Sequence, residues 1–245
     1  MTHRDSPCKR EVNPKNAILY PRGAHPFYCR DHLAAGFENP TFRCLKHRDR
    51  IIAYDEFVPS DLEDRTQVLL RERMRTPPRN GDTAGYIYGL QIEDPANPEV
   101  VHIKVGRTNA LNRRMAEHLH NCPSGRPILL GYYPRQRGAD QAELSLARIR
   151  PGMKVPFAGM LEDLVHLELA DMAANALPSG AVIPGERLGV NKRRSTCVDC
   201  GRIHEEIFTF RRLPGDQRGL EWERLVLPVI EAWGEYVREF AARMT

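Results

Sequence analysis

Residues 85–106 read GYIYGLQIEDPANPEVVHIKVG, and residues 107–122 continue RTNALNRRMAEHLHNC. The alternation of side chains at 85–92 and at 99–106 predicts two β-strands joined by a proline-containing loop. The residues after the second strand have helical periodicity and predict a helix over 109–121. A hairpin followed directly by a helix is therefore the best organised part of the chain.

Four side chains in this stretch can each handle a proton or a phosphate group. They are Tyr88, Lys104, Arg114 and His118. On the predicted helix, His118 falls within an apolar stripe and Arg114 lies at its border, one turn earlier. A histidine on an apolar face is commonly a hydrogen-bonded core residue, so both a structural and a catalytic role stay open here. Gly106 ends the second strand, where a side chain or a phosphate can approach the backbone closely.

The composition bounds the class of protein. The chain has 245 residues, 28% of them charged, and a net charge of +4. It contains no apolar run of the length that crosses a membrane, so we expect no membrane partner. The first ten residues lack the apolar segment of a signal peptide, which predicts an intracellular protein, nuclear if the source is a eukaryote. Arginines cluster at 107, 113 and 114, a pattern typical of nucleic-acid-binding surfaces and also of ordinary solvated ones.

The chain divides into four predicted segments: a Cys/His-rich segment over 1–50, a helix and linker over 51–83, the organised domain over 84–210, and a C-terminal helix over 211–245. Further predicted elements are a capping box at Ser60 and Glu63, a strand over 127–134, a helix over 160–177, a short strand at EEIFTF, and a closing helix after residue 218 with a kink at Pro228.

The 160–177 helix contains two candidate acidic residues. Glu168 falls near the middle of its apolar face, where a carboxylate must be paired, hydrogen-bonded or bound to a metal ion. Glu162 lies further round, near the edge of that face. A slight rotation of the helix would let Glu168 reach solvent at a rim, so its role stays open at this point.

The six cysteines of an intracellular chain indicate metal ligands or free thiols. Cys197 and Cys200, followed by a glycine and by His204, have the spacing of a zinc knuckle. The knuckle lacks a fourth ligand, and Cys122 is the nearest unassigned cysteine in the predicted fold. A second zinc site is predicted from Cys8, Cys29, His32 and Cys44, with His47 as a rival for His32. Reduced, buried thiols are the alternative for both groups.

Four motifs in order, GYIY, KVGRT, RRMAEH and LVHLELADMA, resemble the GIY-YIG endonuclease superfamily over about residues 84–210. Within the superfamily, the chain resembles the branch described as a phage-type DNA-binding domain, with its fungal relatives, whose flanking segments also resemble the cysteine-rich parts of this chain. The resemblance implies an α+β fold in which a three-stranded, mostly antiparallel sheet from 84 to 134 is flanked by helices, with zinc-knuckle-like additions at both ends.

The resemblance also implies roles for residues. Tyr88 would lie near the attacking water, Arg114 and His118 would contact the phosphate, and Glu168, or Glu162 in its place, would hold one magnesium ion. Lys104 stands where the superfamily has a second tyrosine and could act through its charge or as a base. Arg107 and Arg113 would contact the nucleic acid.

Two functions follow from the resemblance: a metal-dependent DNA endonuclease, or a DNA-binding module that keeps the fold without turnover. A protein that only binds other proteins is a distant third. We expect magnesium as the catalytic ion of an active enzyme, structural zinc, DNA as the partner, and no small-molecule cofactor.

Overall fold

The computed structural model describes residues 18, 20, 21, 25, 27–43, 51–125, 127–135, 152–175 and 197–243. Its helices are α1 (Arg30–Ala35), α2 (Asp64–Arg75), α3 (Leu111–Asn121), α4 (Ala158–Ala174) and α5 (Leu227–Ala242). Its strands are β1 (Thr41–Arg43), β2 (Ile51–Ala53), β3 (Tyr86–Ile92), β4 (Val100–Thr108), β5 (Ile128–Tyr133) and β6 (Ile207–Arg211). None of these helices combines the length and the apolar character that spanning a membrane requires.

The main sheet has four antiparallel strands in the order β5-β3-β4-β6, and β1 and β2 form a separate two-stranded sheet. The α+β class and the antiparallel sheet flanked by helices are confirmed. The sheet has one strand more than predicted, because the short strand after the knuckle pairs with the free edge of β4. Phe208 and Phe210 of β6 are buried, so its alternation matches a strand with one face on the core.

The two faces of the sheet bury different partners. On one face, Tyr86, Tyr88 and Leu90 pack with Leu111 and Met115 of α3. On the other, Ile87, Ile103 and Val105 join the larger core, which α2, α4 and α5 complete. Helix α4 is covered on nearly all sides, which explains why its sequence is apolar around most of its circumference.

Two predicted helix features differ from the structure. Helix α2 begins at Asp64, not after Ser60, because Asp171 of α4 accepts a hydrogen bond from the Glu63 backbone N–H at 3.0 Å and caps the helix from outside. The closing α-helix begins at Leu227 and not directly after residue 218. Pro228 lies in its first turn, directly after a π-helical segment over Trp222–Val226, and the predicted kink stays a prediction.

Trp222 packs its ring against two glycines of the sheet, Gly89 of β3 and Gly131 of β5. These residues are directly paired in the register of the two strands, so together they form a flat place for the indole. A Cβ atom on either glycine would overlap the ring. The Gly89–Gly131 pair therefore sets how closely the segment before α5 approaches the sheet.

We expect Gly89→Ala to lower the free energy of unfolding by about 1 to 3 kcal/mol, since the added methyl group overpacks the contact with Trp222. Urea unfolding followed by circular dichroism measures the change. Gln91→Ala, a partly exposed position of the same strand, is the matched control. Equal unfolding midpoints for Gly89→Ala and the parent would contradict this account of the packing.

Candidate active site and metal-binding cluster

The hydroxyl group of Tyr88 links a cation and an imidazole. Its oxygen lies 2.7 Å from Nε2 of His118 and accepts a hydrogen bond from Nε of Arg114 at 3.2 Å. Tyr88 comes from β3, and the other two residues lie one turn apart on α3. The structure therefore brings together three of the five side chains predicted to act at one centre.

Burial shapes the protonation of this group. Tyr88 is only 1% exposed, and burial raises its pKa to about 12, although the bond from Arg114 acts in the opposite direction. Burial, together with the charges of Arg114 and Lys104, lowers the pKa of His118 to about 4. At neutral pH the centre therefore holds a protonated phenol beside a neutral imidazole, and the phenol can donate to Nε2 in the tautomer that carries its proton on Nδ1.

The structure leaves no space for a side chain at Gly106. It is paired directly with Tyr88 across β3 and β4, and a Cβ atom at this position would lie 2.7 Å from the Tyr88 hydroxyl oxygen. The close approach predicted at the end of the second strand is therefore an approach by the tyrosine side chain itself.

An open cleft of about 240 Å³ lies beside the centre. Three arginines line it: Arg107, Arg113 and Arg114. Arg114 also pairs with Glu117 at 3.0 Å, and it contributes to both the cleft and the Tyr88 hydroxyl. Three arginines and Glu117 therefore line the cleft, and Arg114 connects it to the hydroxyl group of the centre.

Lys104 lies on the same face of the sheet, two residues from Gly106 along β4. Its ammonium group is buried and forms an ion pair with Glu206 at 3.0 Å. Of the two roles predicted for Lys104, the geometry favours the cationic one, because a carboxylate already faces the amine. Glu206 follows the knuckle, and sequence reasoning missed it because nothing near it in the chain points to β4.

Glu168 is not part of this centre, which corrects its interpretation as the metal ligand. It is 8% exposed and accepts a hydrogen bond from Nε1 of Trp233 at 2.6 Å, so it faces α5. Burial, with smaller contributions from Asp61 and Asp171, raises the pKa of its carboxyl group to about 7, although the bond from Trp233 acts in the opposite direction. Its apolar neighbours in the sequence signalled burial correctly, but the partner is an indole and not a metal ion.

Glu162 lies on the side of α4 that faces β4. Its side chain is fully buried, with one oxygen accepting a bond from the Arg107 backbone N–H at 2.9 Å and the other 2.9 Å from Nε of the same arginine. Six positions along a helix correspond to a rotation of roughly 240°, so Glu162 and Glu168 cannot face the same neighbour. Glu162, the predicted alternative to Glu168, is therefore the one of the two that contacts a cleft residue, Arg107.

The predicted knuckle ligands converge. Cys122, Cys197, Cys200 and His204 offer ligand atoms that all lie within 4.8 Å of one another, and in the described part of the chain no other three acidic, cysteine or histidine side chains do so. Nε2 of His204 is 3.5 Å from the Cys122 sulfur and 3.4 Å from the Cys200 sulfur. This cluster could hold a zinc ion.

The predicted N-terminal zinc site falls mostly outside the described residues, which do not include Cys8, Cys44 or His47. Cys29 and His32 are described, and the Cys29 sulfur lies 3.2 Å from Nδ1 of His32. The site stays a prediction.

Comparison with protein families gives one result: a sequence model of the T5orf172 domain matches residues 85–233, which is more than half of the chain. The chain belongs to the T5orf172 domain family. The match indicates a nuclease-like, DNA-binding domain of phage type. Comparisons of this T5orf172 protein with curated proteins and with solved structures gave no match.

We expect the ring of His118 to titrate with a midpoint near 4 in NMR spectra. Arg114→Gln should raise that midpoint, because it removes one of the positive charges that disfavour the imidazolium. Arg113→Gln, the adjacent and more exposed arginine, is the matched control and should shift it less. A parent midpoint near 6.5 would contradict the burial of His118.

Glu168→Gln should stabilise the protein at alkaline pH. The carboxyl group has a folded pKa of about 7, above its ordinary value of 4.5, so the parent loses stability as the pH rises from 4.5 through 7. The amide cannot ionise, so the variant should gain roughly 2 to 3 kcal/mol on the parent between pH 4 and pH 8. Thermal unfolding of both proteins across this range measures the gain, and parallel pH profiles would contradict it.

Proposed function

We propose that this T5orf172 protein is a GIY-YIG-type nuclease that hydrolyses phosphodiester bonds in DNA, with the reaction centred on Tyr88. The observation that carries the proposal is the contact of one buried hydroxyl group with both Arg114 and His118 beside an arginine-lined cleft. The membership of the family supports a nuclease-like fold that binds DNA.

The proton path follows from the protonation states. A phenol with a pKa of about 12 is a poor source of phenolate at neutral pH. A concerted transfer avoids that species: the attacking water gives its proton to the Tyr88 oxygen while the phenol proton moves to Nε2 of His118. The hydroxide equivalent forms a bond to phosphorus, and the bond from phosphorus to the leaving oxygen breaks. The leaving oxygen takes a proton from water in the open cleft, and His118 then releases its extra proton to solvent. His118 is neutral and 2.7 Å away, so it is placed to receive the proton, but its pKa of about 4 makes it a weak base that holds the proton only transiently.

The arginines would hold the phosphate. Arg114 donates to Tyr88 from Nε, and its guanidinium also reaches the cleft, so a phosphate bound there would lie next to the proton acceptor. Arg107 and Arg113 line the same cleft and would neutralise charge on the phosphate or its neighbours along the strand.

The residues of the centre do not fit a preformed magnesium site. Both oxygens of Glu162 face Arg107, and the carboxylate is fully buried. Magnesium prefers oxygen ligands in an octahedron that keeps several waters, and this pairing leaves the carboxylate no room for them. We therefore assign no step to the ion. Glu162 would be its ligand only after the Arg107 side chain moves away.

The ion pair of Arg107 with Glu162 favours a second candidate function, DNA binding without turnover. The Arg107 guanidinium covers the Glu162 carboxylate, so it blocks a cation from that carboxylate while its own side chain still lines the cleft. The two candidates predict the same affinity for DNA and differ only in cleavage.

The test is incubation of the purified protein with supercoiled plasmid and with branched DNA, in magnesium or manganese and in EDTA. For a nuclease, Tyr88→Phe should lower the cleavage rate by about 10²- to 10⁴-fold, the usual loss when a general base is removed. DNA affinity should change little, because the phenol contacts no phosphate directly. Arg114→Ala should lower both the cleavage rate and the affinity for DNA, since it removes a phosphate contact and the hydrogen-bond partner of Tyr88.

Tyr132→Phe is the matched control, because Tyr132 is buried on the same face and pairs directly with Tyr88 across β3 and β5. Cleavage by Tyr88→Phe at the rate of Tyr132→Phe would reject the role of Tyr88. Salt-dependent binding with no cleavage under any condition would establish the binding function instead.

A further inference from the structure

We propose that Cys122, Cys197, Cys200 and His204 bind one structural zinc ion that fixes the C-terminal end of α3 and so positions His118 and Arg114 against Tyr88. The metal site itself is independent of the proposed function. Only the consequence for the reaction centre rests on that function.

The spacing of the ligand atoms suits zinc. A tetrahedral ion with Zn–S bonds of about 2.3 Å and Zn–N bonds of about 2.0 Å needs ligand atoms roughly 3.5 to 3.8 Å apart. The sulfurs of Cys122 and Cys197 are 4.0 Å apart, and Nε2 of His204 lies 3.5 and 3.4 Å from the sulfurs of Cys122 and Cys200. Three sulfurs and one imidazole nitrogen form a complete tetrahedral set, the arrangement of structural zinc sites.

The backbone of the knuckle is already shaped for this role. The Gly201 N–H donates to the Cys197 carbonyl at 3.0 Å, and the Cys197 N–H donates to the Arg202 carbonyl at 2.9 Å. Gly201 has a φ of +66°, a conformation that side chains disfavour. This turn directs the two cysteines to the same side, as a shared ion requires.

Helix α3 has little apolar anchoring at its far end. Its buried residues, Leu111 and Met115, both lie in its first half, and Leu119 in the second half is 47% exposed. His118 belongs to that second half, although its ring must remain within hydrogen-bonding distance of Tyr88. Hydrophobic packing therefore holds the start of α3 better than the end that carries the imidazole.

The cluster supplies the missing attachment. Cys122 follows α3 directly, and its backbone N–H donates to the carbonyl of His118 at 3.1 Å. Ser124, two residues later, donates its N–H to Asp199 of the knuckle at 3.0 Å. A metal ion that joins Cys122 to the knuckle would thus hold the turn of helix that contains His118.

The knuckle also reaches the centre by a second route. Glu206, two residues after His204, pairs with Lys104 at 3.0 Å and leads into β6, which is paired with β4. The charge of Lys104 is one of those that lower the pKa of His118. One segment of chain therefore attaches to both the helix and the strand beside the imidazole.

The test uses the full chain purified without chelator. Zinc per chain is measured for the parent, for Cys197→Ser and for His204→Cys, and hydrogen exchange is followed in peptides covering 111–122 and 86–92. Cys197→Ser should lose one zinc per chain relative to the parent. Exchange over 111–122 should then accelerate by about tenfold or more, while 86–92 keeps the parent rate. His204→Cys, which keeps four ligands, should retain both the zinc and the parent exchange rate.

Val198→Ser is the matched control, because Val198 lies between the two cysteines, is 88% exposed and offers no ligand in the parent. Val198→Ser should keep the zinc content and the exchange rates of the parent. Retention of full zinc content by Cys197→Ser would overturn the site. Loss of zinc with unchanged exchange over 111–122, or with equal acceleration over 86–92, would overturn the local positioning role. None of these measurements requires DNA cleavage, so a failure here is distinct from a failure of the proposed nuclease activity.

Discussion

The pairing of β3 with β4 places Gly106 directly opposite Tyr88, and the reaction centre depends on this register. The tyrosine ring lies over the glycine backbone, so its hydroxyl group remains close to the sheet and within hydrogen-bonding distance of α3. A shift of the register by one residue would turn Tyr88 to the opposite face, into the core that α4 fills. The positions of Arg114 and His118 have chemical meaning only because the strand pairing presents this hydroxyl group to them.

Three buried ionisable side chains of the domain each have a polar partner from a different segment of the chain. Glu162 of α4 faces Arg107 of β4, Lys104 of β4 faces Glu206, and Glu168 of α4 faces Trp233 of α5. Removing one partner of such a pair leaves an uncompensated polar group at a cost larger than the pair contributes. These contacts specify how the layers are arranged around the sheet, and two of them lie next to the proposed site.

Sequence reasoning was accurate where local pattern decides. The alternation at 85–92 and 99–106 gave the hairpin, and helical periodicity placed Arg114 and His118 one turn apart. The prediction that Glu168 binds the metal ion was wrong, because apolar neighbours in the sequence predict burial but do not indicate which element covers the residue. The helix presents Glu168 to α5 and Glu162 to β4, and this orientation depends on how α4 is rotated between the sheet and the other helices.

The residues themselves determined the hairpin, the cysteine and histidine donors of the knuckle, and the helix that carries the arginine and the imidazole, since these follow from periodicity and spacing within short stretches. Sequence reasoning also named Cys122 as the fourth donor, and the structure places it beside a knuckle 75 positions later. Only the tertiary structure decided that Glu206 pairs with Lys104 and that β6 extends the sheet. These contacts join segments distant in the chain, and their partners are chosen by packing of whole elements, which no local pattern encodes.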